Sequence, residues 1–259
     1  STLMRSSAAS DVYKRQINEY TNESGVRELE RDINKIIRKV ITEHIKSSRK
    51  IVSVRIKEND IPHYLEQELY KESKYKEIIH PGVVTAVACS SIGGVSIYIE
   101  CTSFKGTGKY TFTGSLGSIT KESIEIALSY IKSNAKRFDI DEDFFLNNDF
   151  HINFTEGAIN KDGPSAGISI VTAILSHIKG VIISDKISLT GEITLNGDIL
   201  KIGGLKEKTI ACKRQNIERL FIPKDNLNDI EWLEKDLKND IEFIPVSNYS
   251  VSYTHLTLP

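Results

Sequence analysis

One stretch of the chain is so uniformly apolar that it must be buried inside the fold. Residues 166–178 carry Ile, Val, Ala and Leu around the whole helical projection, interrupted by small or polar residues only. A helix that is apolar all round is buried. Alternating segments such as Val95–Thr102 predict strands, and Asn196-Gly197 predicts a two-residue hairpin turn. Hairpins combined with β–α alternation predict a mixed α/β domain.

Composition narrows the classes of function. The 259 residues carry 34 Lys and Arg against 35 Asp and Glu, a formal charge of −1. Because phosphate contacts need a basic excess, nucleic acid is not indicated as a partner. No stretch reaches about 18 apolar residues, so no membrane span is expected. Cys89, Cys101 and Cys212 are an odd number with no C-x-x-C pair, which argues against a disulfide scaffold or a zinc ribbon and suits a reducing compartment. No metal site is predicted.

The chain divides into five stretches by pattern. Residues 1–16 and 251–259 differ from the rest. We interpret residues 1–16 as disordered or as an artefact of sequence assembly, and residues 251–259 as such an artefact. Residues 17–50 contain an amphipathic helix, and residues 51–80, rich in Glu, Lys and Tyr, are predicted to be a linker. Residues 81–250 carry the strands and the buried helix and are predicted to form the main domain.

The segment Lys161–Gly167, Lys-Asp-Gly-Pro-Ser-Ala-Gly, is the most informative for chemistry. It places Ser165 at the start of the buried helix, beside backbone N–H groups able to hold an oxyanion. The alternative is that Ser165 only caps the helix. The segment also matches the Gly-x-Ser-x-Gly pattern of α/β-hydrolases, which pairs its serine with a histidine. His177 lies about 18 Å farther along the same helix, and His255 lies in the tail, so a Ser–His triad is not expected.

A serine without histidine needs another base, and a lysine serves when burial lowers its pKa. Two lysines lie in the predicted helix 205–215. At about 100° per residue, Lys208 falls on the apolar side with Ala211 and Cys212. Lys206 falls on the polar side. The alternative for either lysine is a solvated surface group, but its pairing with Ser165 makes Lys208 the candidate base.

The order and spacing of several blocks resemble the proteolytic domain of the Lon family of ATP-dependent proteases. The matching blocks are Thr113–Gly117, Glu156–Ala158, Lys161–Gly167, Leu189–Ile193 and Ile202–Lys208. The resemblance runs from about Ile17 to Ser250. It implies a Lon-type proteolytic fold preceded by a short helical segment, and a catalytic dyad of Ser165 and Lys208.

The resemblance also assigns supporting residues. It implies that Thr190 helps to orient the lysine and that Glu100, His151 and Asp162 line or support the site. Backbone N–H groups in the region of Gly163, Pro164, Ser165 and Ala166 are expected to hold the oxyanion. Asn153 stands where the family commonly has a second histidine, which puts a role for that position in doubt.

The helix predicted over 24–46 resembles the end of the family's AAA+ module, where Arg27 would be the nucleotide-sensing arginine. The chain lacks a G-x-x-x-x-G-K-[ST] phosphate-binding loop. We therefore expect this fragment to need no cofactor, whereas ATP and Mg²⁺ belong to the full-length enzyme.

The resemblance implies a serine endopeptidase that degrades unfolded or regulatory proteins as a ring of six subunits. It further implies a cytoplasmic location, with the matrix of an organelle as the alternative. The alternative from another class is a non-catalytic module for peptide binding or ring assembly. Covalent labelling of Ser165 distinguishes the two.

Overall fold

The computed structural model describes most of the chain in two compact units, residues 1–73 and 74–259. The described residues are 12–17, 20–21, 26–47, 53–65, 78–90, 93–141, 143–157 and 159–250, without the side chain of Asp236. The tail 251–259 and most of the predicted N-terminal artefact, residues 1–11, lie outside these ranges.

The first unit is helical. Its elements are α1, of which residues 12–17 are described, α2 (Arg27–Lys46), a 3₁₀ turn (Glu58–Asp60) and α3 (Ile61–Leu65). Ile61 and Leu65, one helical turn apart, are buried with Tyr20 and Ile36. Residues 58–65 fall within the predicted linker 51–80, but here they are part of the packed unit. The pattern was missed because two apolar residues in one turn make too short a periodic signal.

The described part of the second unit contains nine strands. They are β1 (Val83–Ser90), β2 (Gly93–Lys105), β3 (Tyr110–Thr113), β4 (Asn148–Phe154), β5 (Ile187–Leu189), β6 (Glu192–Ile193), β7 (Ile199–Leu200), β8 (Arg219–Pro223) and β9 (Glu242–Val246). Seven form one sheet in the order β3-β4-β2-β1-β5-β8-β9. β2 runs antiparallel to β1 and β4, and the other neighbours are parallel. β6 and β7 form a separate hairpin around Asn196-Gly197, as predicted. The predicted two-residue turn is wrong: the N–H of Gly197 donates to the carbonyl of Thr194 at 3.0 Å and the N–H of Thr194 to that of Asp198 at 3.0 Å, so the turn has three residues, and of its last two only Gly197 has positive φ, at 84°.

Helices cover both faces of this sheet. They are α4 (Ser118–Ser133), α5 (Phe144–Asn147), α6 (Gly167–Lys179), α7 (Leu205–Arg214), α8 (Leu227–Glu231) and α9 (Lys235–Lys238). Residues 167–176 of α6 are all buried, as its composition predicts. Burying each large aliphatic side chain of α6 contributes about 1.5–3 kcal/mol. The mixed α/β prediction is confirmed.

Two hydrophobic cores lie on opposite faces of β1. Ala86 belongs to the core that α4 and α6 cover, whereas its neighbour Val87 belongs to the core under α7. This alternation follows from the two-residue period of a strand. β1 and β5 are parallel neighbours, so their carboxyl ends lie at the same edge of the sheet, which is a common place for ligand sites in α/β proteins.

Candidate active site

A cavity of about 300 Å³ lies beside the carboxyl end of β1. Small and apolar side chains of the sheet line one part of it, among them Ala86, Ala88, Val95, Ile97 and Phe154. The polar segment 159–166 lines another part. Ser165 and Lys208, the two residues predicted for the chemistry, both border this cavity although they come from opposite layers of the domain.

Ser165 lies in a 3₁₀ turn, Pro164–Ala166, directly before α6. Its carbonyl oxygen accepts a hydrogen bond from the N–H of Gly191 at 2.8 Å and one from Thr190 Oγ1 at 3.3 Å. Gly167 permits this close approach, since a Cβ there would lie 2.8 Å from the backbone nitrogen of Ile193. The chain that follows β5 therefore holds the backbone of the serine in place.

Lys208 lies in the first turn of α7 and is 2% exposed. Leu205 and Ala211 are buried on the same side of the helix, whereas the side chain of Lys206 is 51% exposed and bonds to Glu234 at 3.1 Å. The predicted helical phase is thus confirmed. Burial lowers the pKa of Lys208 to about 8, because desolvation disfavours the ammonium.

A tight contact holds the start of α7 against β1. Gly204, immediately before the helix, has φ 67°, and a Cβ on it would collide with Cys89 Sγ. The Cys89 thiol donates to the carbonyl of Gly204 at 3.2 Å. A left-handed backbone with no side chain is therefore required here, and the contact sets the distance of Lys208 from the end of β1.

Thr190 joins the lysine to the serine segment. Lys208 Nζ donates to Thr190 Oγ1 at 3.0 Å, and that hydroxyl donates to the carbonyl of Ser165. Thr190 is fully buried. The described hydrogen bond of Lys208 goes to Thr190 rather than to Ser165 Oγ, so a transfer of the serine proton needs the two side chains to approach each other. Catalytic hydrogen bonds commonly tighten only when substrate binds.

The predicted oxyanion region needs one correction. Pro164 has no backbone N–H and cannot donate. The N–H of Gly163 donates to Thr120 Oγ1 at 3.1 Å. The N–H groups of Ser165 and Ala166 remain as candidate donors from this region.

Asp162 borders the cavity and also caps α4. Its Oδ1 accepts from the N–H of Ile119 at 2.9 Å. A carboxylate at a helix N-terminus satisfies an unpaired donor and interacts favourably with the helix dipole. Asp162 therefore ties the serine-bearing segment to α4, which agrees with a supporting position.

Glu100 and His151 do not line the cavity. They lie in a polar network on β2, β3 and β4: Asn153 Nδ2 donates to Glu100 Oε2 at 2.8 Å, and Thr113 Oγ1 donates to Asn153 Oδ1 at 2.7 Å. Thr113 has one hydroxyl hydrogen, so His151 Nε2, 2.9 Å from Thr113 Oγ1, must be the donor to it. Glu100 and His151 were predicted to line or to support the site. Since neither lines the cavity, a supporting role stays as the prediction. Asn153, whose role was in doubt, links Glu100 to Thr113.

Arg27, the predicted nucleotide-sensing residue, and His177, which was excluded as a base, belong to other elements. Arg27 is the first residue of α2, in the first unit. His177 Nε2 is 2.8 Å from Ser103 Oγ, near the end of α6 that lies farther from Ser165.

Among the described residues, no three His, Cys, Asp or Glu side chains are grouped to hold a metal ion. Within the same ranges, no helix has both the length and the apolar character to cross a membrane.

Lys161 and Cys89 also line the cavity and were not predicted from the sequence as site residues. Lys161 is 7% exposed, and its Nζ donates to three backbone carbonyls. A lysine between polar turn residues carries no sequence signal of burial. Cys89 is the penultimate residue of β1, and the alternation of a strand does not show that a cavity lies beside its end.

Two sequence families match the chain. The Lon protease (S16) C-terminal proteolytic domain matches residues 55–256, and the Lon protease AAA+ ATPase lid domain matches residues 6–52. The lid match includes residues 6–16, which the sequence pattern had assigned to an artefact or to disorder. The proteolytic match reaches beyond residue 250, where the second artefact was placed.

Curated relatives agree with these matches. The chain is 40% identical to a Lon protease of Brucella suis over 249 residues, 96% of this chain and 30% of the relative. It is 40% identical to a Lon protease of Clostridium acetobutylicum over 88% of this chain and 29% of the relative. For a Lon protease of Aster yellows witches'-broom phytoplasma the identity is 42% over 90% of this chain and 29% of the relative. The chain spans about 30% of the length of such relatives. The chain therefore belongs to the Lon protease family and carries its serine-peptidase proteolytic domain, C-terminal to a match to the AAA+ lid domain.

Proposed function

We propose that this chain is the proteolytic part of an ATP-dependent serine endopeptidase, with Ser165 as nucleophile and Lys208 as general base. One observation supports this most: Lys208 is a buried lysine with a pKa lowered to about 8, bordering the same cavity as Ser165. Lysine in such surroundings is neutral often enough near neutral pH to accept a proton.

The reaction follows from these two groups. Neutral Lys208 takes the proton of Ser165 Oγ as that oxygen attacks the peptide carbonyl carbon. N–H groups of Ser165 and Ala166 stabilise the negative charge on the carbonyl oxygen. Lys208 then gives its proton to the departing amine, which leaves an ester on Ser165. Water, deprotonated by Lys208, attacks the carbonyl carbon of this ester. The bond from that carbon to Ser165 Oγ breaks, the acyl part leaves as the carboxylic acid product, and Lys208 returns the proton to Ser165 Oγ.

Neighbouring residues support this assignment by position. Thr190 accepts from Lys208 Nζ, so we propose that it keeps the amine directed toward the cavity. Asp162 anchors the serine segment to α4. For Glu100 and His151 we propose a supporting role through the network that joins β2, β3 and β4.

In the longer protein, we propose that the AAA+ module binds ATP and Mg²⁺, with Arg27 sensing the nucleotide, and delivers unfolded or regulatory proteins to this domain. A hexameric ring and a cytoplasmic location belong to the same proposal. The match to the AAA+ lid sequence supports the link to ATP.

The decisive experiment is covalent labelling with a fluorophosphonate probe and mapping of the label by mass spectrometry. We expect one labelled residue, Ser165. Ser169, buried and bonded to the carbonyl of Leu189 at 2.7 Å, is an internal control and should stay unmodified. Protein that is folded but unlabelled would instead support the non-catalytic module for peptide binding or ring assembly.

Alkylation of Cys89 is expected to block the cavity. Cys89 is exposed and borders the cavity, whereas Cys101 and Cys212 are buried with pKa values raised to about 12. Iodoacetamide should add one group, to Cys89, and lower peptide hydrolysis by at least about tenfold, because the group occupies substrate space. Partial burial raises the pKa of Cys89, so the modification should speed up at alkaline pH. A Cys89→Ser variant should keep its own turnover after the same treatment; loss in that variant would contradict the prediction.

A further inference from the structure

Lys161 is a second buried lysine at the cavity, and its surroundings differ from those of Lys208. Its Nζ donates to the carbonyls of Gly114 at 2.9 Å, Glu156 at 2.6 Å and Ile159 at 2.8 Å. An ammonium has three N–H donors and no acceptor, so all three are used. Burial lowers the pKa of Lys161, because desolvation disfavours the ammonium, whereas the three carbonyls favour the charged form, which alone has three N–H donors.

The three carbonyls belong to two turns with unusual backbone. Gly114 has φ 111°, Ser115 has φ 58° and Glu156 has φ 60°. Non-glycine residues in this left-handed region carry a conformational cost. Carbonyl groups whose oxygens point at one place also repel each other. A central ammonium outweighs that repulsion, because it forms a charge-assisted hydrogen bond to each oxygen. The charge of Lys161 thus compensates for the geometry of both turns.

The backbone of Lys161 is bonded on both sides as well. Its N–H donates to the carbonyl of Ser115 at 3.0 Å, and its carbonyl accepts from the N–H of Gly117 at 2.8 Å. Thr120 Oγ1 donates to the same carbonyl at 3.0 Å and accepts from the N–H of Gly163 at 3.1 Å. The fixed position of Lys161 is thereby passed along the chain to Gly163, two residues before Ser165.

We infer that Lys161 is a positioning residue, a charged clamp that holds the segment from Asp162 to Ala166 in the geometry that the nucleophile and the oxyanion donors require. This inference rests on the proposed dyad. It differs from a role in substrate binding, because Nζ is turned to backbone carbonyls and its donors are all engaged. The role of Lys161 also differs from that proposed for Lys208, because Lys208 accepts the proton of Ser165 Oγ.

The test compares Lys161→Met with Lys179→Met. Lys179 Nζ also donates to one backbone carbonyl, that of Asp139, at the other end of α6. Below the melting temperature of each variant, we expect Lys161→Met to lose about 100-fold in kcat with KM within about threefold, since misplaced oxyanion donors cost on this scale. Lys179→Met should match the wild type in both constants.

A peptide boronate provides a second readout. Its tetrahedral adduct with Ser165 depends on the oxyanion donors, so Lys161→Met should weaken its binding by a factor close to the loss in kcat. Thr120→Val, which removes the side-chain link between Lys161 and Gly163 with little change in shape, should give a smaller loss in kcat, of about tenfold, again at constant KM.

Several results would overturn the inference. They are a Lys161→Met kcat within threefold of wild type, a loss that merely follows the unfolded fraction, or a loss confined to KM. If Lys161→Met does not fold, the kcat of Thr120→Val is the test. An unchanged kcat in Thr120→Val would mean that Lys161 contributes to the stability of the fold alone. Failure of both variants to fold would mean the same. Failure of the dyad itself is distinguishable, because then the wild-type protein is not labelled by the fluorophosphonate.

Discussion

Lys208→Gln is expected to abolish peptide hydrolysis, with a loss of at least about a thousandfold, whereas Lys206→Gln retains most of it. General-base catalysis contributes about 10²–10⁴ in rate, and glutamine accepts no proton from the serine. Lys206 is a matched control in the same helical turn, since its exposed amine pairs with Glu234 and lies outside the cavity. Steady-state kinetics on a short peptide gives both values.

Lys208→Arg should be as inactive as Lys208→Gln, because guanidinium stays protonated in proteins. This variant separates charge from basicity at the same position. The opposite result, an active Lys208→Gln beside an inactive Lys206→Gln, would show that the base is misassigned.

The pH dependence follows from the same lysine. Burial lowers the pKa of Lys208 to about 8, so below that pH the amine is protonated and has no lone pair for the serine proton. Activity should therefore rise with pH through about 8 and then level off. The profile of kcat/KM for the wild type and for Lys206→Gln should coincide. A profile that falls over this range would contradict a lysine base.

Ser165→Ala is expected to remove activity by about 10⁴-fold or more while leaving the melting temperature nearly unchanged. Loss of a serine nucleophile has costs of this order or larger. The fold should persist because the contacts that fix this residue run through its carbonyl oxygen, to Gly191 and Thr190. Calorimetry and hydrolysis of a fluorogenic peptide measure the two effects.

Ser169→Ala is the matched control one helical turn away. Its hydroxyl is buried and donates to the carbonyl of Leu189, so the substitution should lower the free energy of unfolding by about 1–3 kcal/mol. Turnover well below the melting temperature should survive in Ser169→Ala. A Ser165→Ala variant that still hydrolyses peptide would exclude Ser165 as the nucleophile.

Patterns that repeat along the chain were enough to predict several features. The apolar composition of residues 166–178 predicted the burial of α6, and Asn196-Gly197 predicted the β6–β7 hairpin. The helical phase of Lys206 and Lys208 predicted which lysine is buried. Each of these depends on local geometry, namely the 3.6-residue period of a helix or the positive φ of a turn.

Contacts between distant segments were decided only by the tertiary structure. The buried Lys161 donates to the carbonyl of Gly114, 47 residues away in sequence, as well as to the nearby carbonyls of Glu156 and Ile159. Asp162 caps α4 across more than 40 residues of sequence. Glu100 and His151 belong to a network on the sheet rather than to the cavity wall. The sequence around a polar side chain does not show which groups it will bond to. Its free energy of burial depends on which donors and acceptors the fold brings within hydrogen-bond distance.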